Sequence, residues 1–164
     1  MAGKPKKRLS KTSGKSEGKS GKKGIDENIA VVLDSNEFIL GISGDKKSCS
    51  ELILLADRLN IYLPSIIERE VYRNLENQYR LGKEFYRFIQ NAVNISIVYS
   101  DPPKDLVTVF KTKGLAEEDS IIAAFCVWIG AEYLISENRH FLFEYEFEDF
   151  TVISAKEALT LIHV

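Results

Sequence analysis

Cysteine is scarce in these 164 residues. The two present, Cys49 and Cys126, form no Cys-x-x-Cys pair and have no histidine close by, which argues against a disulfide framework and a zinc site of familiar spacing. Two unpaired thiols suit a reducing cytosol. Long apolar runs are missing too: the longest, Ile121 to Ala131, falls well short of the roughly 20 residues that span a bilayer, and acids flank it. No glycine-rich phosphate loop is present, and Asp34-Ser35-Asn36 lacks the second acid of an Asp-x-Asp phosphatase signature. With two histidines in the chain and no Ser or Cys nucleophile constellation, nucleophilic triads have no support, and His140 reads as structural.

What is present is charge, unevenly placed. Residues 1–24 hold nine Lys or Arg against one Glu, a net +8, so the remaining 140 residues carry −10 of the overall −2. A Lys, Gly and Ser segment with almost no aliphatic side chains buries too little to offset its ordering entropy, so 1–24 is expected to be a basic disordered tail. It lacks the apolar stretch of a secretory signal and the Arg-rich amphipathic pattern of a transit peptide. Residues 25–164 are expected to form one globular domain of a soluble, cytoplasmic protein.

Ile29 to Leu33 is a short unbroken aliphatic run, the mark of a strand buried on both faces in a parallel sheet. It ends at Asp34, and Asn36 to Ile42 follows as a short helix. Ser-x-x-Glu capping boxes predict helix starts at Ser48, Ser65 and Ser154. Further strands are expected at 61–63, 95–99, 133–136 and 150–153, and further helices at 83–92 and 118–129, the last apolar nearly all round and closed by Gly130. Alternating strands and helices at these spacings predict an α/β domain with a parallel sheet, whose ligands bind beyond the carboxyl ends of the strands where strand order reverses.

The polar residues at those ends are mostly acids. Asp34 follows the first strand, Ser136, Glu137 and Asn138 follow the fourth, and helix starts add Glu68 or Glu70 and Asp119. Singly, each has an ordinary reading as a cap or a first-turn acid that offsets the helix dipole. Gathered on one sheet edge they repel, and burial sharpens the repulsion. A hard divalent cation such as Mg²⁺ or Mn²⁺ relieves it, activates water and neutralises charge on a phosphate. Basic partners such as Lys111, Lys113 or Arg139 are another solution.

Four stretches resemble those of PIN-domain ribonucleases, in that family's order: VVLDSNEFI at 31–39, PSIIEREVYRNL at 64–75, EEDSIIAAFCVWIGAEYLIS at 117–136 and SENRHFL at 136–142. The resemblance implies a three-layer α/β/α sandwich with a central parallel sheet. It also implies Mg²⁺- or Mn²⁺-dependent endonucleolytic cleavage of RNA by activated water, with many bacterial members acting as VapC-like toxins held by an antitoxin. Carried over by position, the metal-binding and catalytic acids fall on Asp34, on Glu70 with Glu68 as the alternative, and on Asp119 with Glu118 as the alternative. Asn36 matches the polar residue two places after the first acid. The last family acid falls on Asn138, an amide that can still ligate or orient water, so one firmly held ion is expected.

Arg69, Arg73 and Arg80 share one side of the helix that carries Glu70, with Lys83 and Arg87 beyond, a strip that suits a phosphate chain or ordinary solvated pairing with Glu68, Glu76 and Glu84. Arg69, Arg73, Ser136 and Arg139, with Asn36, are the candidate substrate contacts. Phe85, Phe88 and Ile89 read as core or as the interface of a homodimer, and the alternation of aromatics and acids at 143–150 as a docking edge or a half-buried loop. The leading expectation is the ribonuclease toxin of a toxin-antitoxin pair. The alternative, motivated by Asn138 and the basic tail, is a catalytically weak PIN-like domain that binds RNA or a protein.

Overall fold

Short aliphatic runs need cover on both faces. The computed structural model, which describes residues 7–9 and 21–162, gives them that cover in a five-stranded parallel sheet. Numbered along the chain, β1 (Lys7–Leu9) lies outside this sheet, whose strands are β2 (Ala30–Leu33), β3 (Asn60–Pro64), β4 (Ile95–Val98), β5 (Tyr133–Ile135) and, after β6 (Tyr145–Phe147), β7 (Thr151–Ile153). Their spatial order is β4-β3-β2-β5-β7. The register sets Val31 beside both Ile61 and Tyr133, and Leu33 beside Ile135. Val31, Val32, Leu33, Ile61, Leu63, Leu134 and Ile135 are fully buried, whereas the edge strand β4 is only partly covered.

Helices α1 (Ser35–Ser43), α2 (Lys47–Leu54), α3 (Ser65–Tyr79), α4 (Gly82–Asn91) and α7 (Ala155–Leu161) pack on one another, while α5 (Lys104–Thr112) and α6 (Glu117–Ile129) form a second group in which α6 lies against β2 and β3. The result is the expected three-layer α/β/α sandwich. From β2 the chain runs outward through β3 to β4, then returns to the other side of β2 as β5. Strand order therefore reverses between β2 and β5, and the carboxyl ends of these two strands are where a ligand crevice belongs.

Several local expectations need correction. Ser154 caps α7 as predicted, its hydroxyl accepting the Glu157 N–H at 3.1 Å. Ser48 and Ser65 do not act as caps: α2 begins one residue earlier behind Lys46, and Ser65 is the first residue of α3 behind Pro64, so its hydroxyl sits too far along to receive the freed donors. Helix α5 was not anticipated. Its β-branched residues mask a face that nevertheless buries Leu106 and Phe110. Phe85 and Ile89 belong to the core, with Phe38 edge-on to Phe85 at 5.7 Å between ring centroids. Phe147 and Phe150 stack at 4.5 Å, so the aromatic and acidic run is a half-buried turn and strand.

The disordered tail expected over 1–24 lies mostly outside the described residues. Among its described residues, Lys7–Leu9 pair in parallel with Tyr145–Phe147, Lys22 pairs with Glu157, and the Lys23 carbonyl accepts from the Tyr133 hydroxyl. Among the described residues, no helix is long and apolar enough to cross a membrane.

The approach of α1 to α2 depends on one glycine. A Cβ added at Gly41 would stand 2.5 Å from Ile53 Cγ1 and 2.8 Å from the Cys49 carbonyl oxygen, and the Ser50 hydroxyl also donates to the Gly41 carbonyl at 3.0 Å. Alanine ordinarily favours a helix over glycine, but here the contact with backbone decides. Gly41→Ala is expected to destabilise the protein by about 1–3 kcal/mol in urea denaturation, the cost of overpacking, where propensity alone gives a gain.

Candidate active site at the sheet crossover

Asp34 ends β2 and caps α1 at the point where strand order reverses. It is only 5% exposed, and both of its oxygens are engaged: Oδ1 accepts the Ser35 N–H at 2.8 Å and Oδ2 accepts the Ser136 hydroxyl at 2.7 Å. Ser136, fully buried at the end of β5, thereby ties the two central strands together through side chains. Burial raises the Asp34 pKa, the bonds from Ser136 and Ser35 pull it down, and the nearby Glu118 carboxylate pushes it up again; burial prevails.

Three further acids converge on Asp34 from other elements. Glu70, from the second turn of α3, is half-buried, and its pKa is raised by burial and then by Asp34 and Glu118, against the Ser35 hydroxyl and Arg73. Asp119, in the first turn of α6, is raised by burial and by Asp34 and Glu118, with His140 opposing. Asp34 thus acts electrostatically on both Glu70 and Asp119, and exposed Glu118, given second place from the sequence, acts on all three. Glu68 points elsewhere and accepts a 3.4 Å bond from the Tyr86 hydroxyl. Carboxylates held partly out of water, with one another's charges raising their pKa values and Arg73 acting against this at Glu70, are a donor set that suits a hard divalent cation.

The remaining candidates surround this group. The Asn138 N–H donates to the Ser136 hydroxyl oxygen at 3.0 Å, so Ser136 relays between Asp34 and the following turn. The Asn138 amide oxygen accepts the His140 N–H at 3.0 Å and caps the turn His140–Glu144, while exposed Arg139 precedes that turn. His140 is exposed and bonded to Glu144 at 2.8 Å, which raises its pKa. Asn36 is half-buried in the first turn of α1, and Arg69 and Arg73 are exposed on α3.

One group of residues escaped the sequence reading. Glu37, one turn into α1, is completely buried; burial, and then the charges of Asp34 and Glu137, drive its pKa well above the usual range. Glu137 accepts from Lys46 at 2.7 Å and from the Ala155 N–H at 2.8 Å; burial works to raise its pKa, but these donors prevail and lower it. Cys49, buried beside them on α2, has its thiol pushed up to about 12 by burial and the two acids. In the sequence Glu37 looks like an ordinary first-turn acid, and no spacing rule links it to Cys49 or Glu137.

No family model matches this chain, and no curated protein matches it. Solved structures do. VapBC2 from Rickettsia felis, bound to a DNA fragment from its promoter, superposes with a TM-score of 0.55 at 19% identity, covering 77% of this chain and 98% of that one. PAE2754 from Pyrobaculum aerophilum gives 0.58 at 15% identity, covering 80% and 93%. DNA-bound VapBC from Salmonella typhimurium gives 0.54 at 15% identity, covering 77% and 98%. The chain has the fold of VapC-like PIN domains, as its motifs led us to expect.

The raised acids set a sign for pH dependence. A carboxyl whose folded pKa exceeds its unfolded value binds its proton more tightly when folded, so stability falls as pH rises through that interval. Without metal, the protein is therefore expected to gain stability as pH falls through the raised carboxyl pKa values toward the ordinary carboxylate range, and Asp34→Asn to flatten the gain. Denaturant midpoints in EDTA across that range check both.

Proposed function

We propose that this chain is a metal-dependent endoribonuclease, the toxin of a toxin-antitoxin pair. What supports the reading is the mutual electrostatic influence of Asp34, Glu70, Asp119 and Glu118, with Asp34 at the crossover point of a PIN-like sheet. Asp34, Glu70 and Asp119 are the residues to hold a Mg²⁺ or Mn²⁺ ion. When bound, the ion supplies Lewis acidity that neutralises charge on the phosphodiester and makes water a better nucleophile. Ser136 fixes the Asp34 carboxylate through its 2.7 Å bond, so this acid is held in one orientation without a rotamer search. Glu118 adds negative charge beside the other three. Exposed Arg69, Arg73 and Arg139 and half-buried Asn36 take the role of receiving substrate phosphates in this reading, and the cations at 1–24 add sequence-independent affinity.

The VapBC likeness supports an antitoxin as the protein partner. A homodimer in the cytoplasm completes the proposal, with sedimentation as its check. A second reading, a catalytically weak RNA- or protein-binding domain, is favoured by one observation: the Asn138 amide oxygen is already committed to the His140 N–H.

Cleavage of structured RNA with Mg²⁺ or Mn²⁺, and its loss in EDTA, separates the two. Asp34→Asn and Asp119→Asn are each expected to lower the rate by about 10²–10³-fold while leaving the circular dichroism spectrum unchanged. Full activity in both variants overturns the nuclease reading. Arg73→Ala should weaken RNA binding similarly for all sequences and reduce the slope of log affinity against log salt by about 1, as fluorescence anisotropy can measure.

A further inference from the structure

Beside the acids of the crossover lies a second cluster that the proposed reaction does not use. Glu37 from α1, Cys49 from α2 and Glu137 from the segment after β5 bring a carboxylate oxygen, a thiol sulfur and a carboxylate oxygen to within 4.8 Å of one another. Acids near each other are common enough, and clustering alone says little. The independent observation is Glu37 itself: it is 0% exposed, and neither Oε1 nor Oε2 has a hydrogen-bond partner. With its pKa raised well above the usual range Glu37 keeps a proton that it can share with Glu137, yet neither of its oxygens receives a bond from any donor group. A buried oxygen without a donor, within 4.8 Å of a thiol and a second carboxylate, is one ligand of an incomplete site.

We propose that Glu37, Cys49 and Glu137 form a binding site for a borderline-soft divalent cation of the Zn²⁺ class, separate from the Asp34, Glu70 and Asp119 group. Three considerations choose the ion. A thiolate combined with carboxylates selects Zn²⁺ or Co²⁺ over Mg²⁺, which takes oxygen and retains water. Charge agrees: the cation displaces one proton from Glu37 and one from Cys49 to solvent, and the three anionic ligands beside Lys46, bonded to Glu137 at 2.7 Å, then leave two negative charges, which one divalent ion cancels. Size agrees as well, since ligand atoms around a tetrahedral zinc lie about 3.3–3.8 Å apart, so the three side chains need draw in by only about 1 Å. The second Glu37 oxygen or a water supplies the fourth position.

The ligands come from α1, from α2 and from the segment that follows β5, so an ion there fastens α1 to α2 and to the strand end that carries Ser136. Lys46 holds Glu137 in place from outside, and the Ala155 N–H does so from α7. Both donors engage Glu137, which leaves Glu37 and the Cys49 sulfur for the metal.

Titration of the reduced full chain with Co²⁺ tests this directly. The expected result is a thiolate-to-cobalt charge-transfer band in the near ultraviolet that saturates at one ion per chain and is abolished by added Zn²⁺. Asp34→Asn should keep the band, which separates this site from the proposed nuclease centre. Cys49→Ser should lose it, and Glu37→Gln should weaken cobalt binding by at least about tenfold. Absence of the band in the unmodified protein overturns the proposal, whatever the variants do. So does its survival in Cys49→Ser, which assigns it to Cys126, or unchanged affinity in Glu37→Gln.

Discussion

A carboxylate held out of water between the two central strands constrains what surrounds it. Asp34 sits where β2 must end, because its side chain receives the Ser35 N–H and its carbonyl the Glu37 N–H at 3.1 Å, the opening bonds of α1. Its other oxygen takes the Ser136 hydroxyl from the neighbouring strand. These bonds stabilise the ionised form, yet they do not outweigh desolvation, and the pKa remains raised. Two unit charges about 6 Å apart at an effective dielectric of about 20 repel by about 3 kcal/mol, comparable with the hydrogen bonds that hold Asp34 in place. The charges of Glu70, Glu118 and Asp119 acting on and with Asp34 are therefore a standing cost in stability. The fold offsets it with its apolar strands and with α6, whose Ile122, Ala123, Ala124, Phe125 and Cys126 are all buried.

The parts of this arrangement that were legible in the sequence are those set by local rules. An aliphatic run closed by Asp34 announces a buried strand and its cap, and a run of three acids before an apolar helix announces the start of α6. The choice of Glu70 over Glu68 follows from helical geometry that a sequence only suggests. Two residues apart on α3, the pair points in different directions, one toward Ser35 and the other toward Tyr86. The caps show the limit of motif reading. Ser65-x-x-Glu68 satisfies the capping pattern, but the chain arrives extended through Pro64, so Ser65 is already helical and its hydroxyl is misplaced.

What the sequence concealed is long-range. Glu37 lies 12 positions before Cys49 and 100 before Glu137, and only the docking of α1 on α2, made possible by Gly41, and the passage of β5 beside β2 bring them together. Pattern rules for metal ligands rely on both ligands of a pair sharing one helix or turn. Here each ligand comes from a different element, so the short-range signal does not exist. The same holds for Ser136, whose role depends on a partner 102 residues away.

Glu37 and Asp34 also cannot be charged independently. They are one helical turn apart at the start of α1, and each of the two is buried. The charge of Asp34 raises the Glu37 pKa, and the interaction is reciprocal: a negative Glu37 makes ionisation of Asp34 harder. Whatever neutralises Glu37, a proton or a cation, therefore removes a repulsive charge from behind Asp34. A proton does so only while the pH stays below the raised Glu37 pKa. A cation held by Glu37, Cys49 and Glu137 replaces that proton and cancels the charge it leaves. The cluster of Glu37, Cys49 and Glu137 thus bears on the charge of Asp34 at the crossover through this coupling alone.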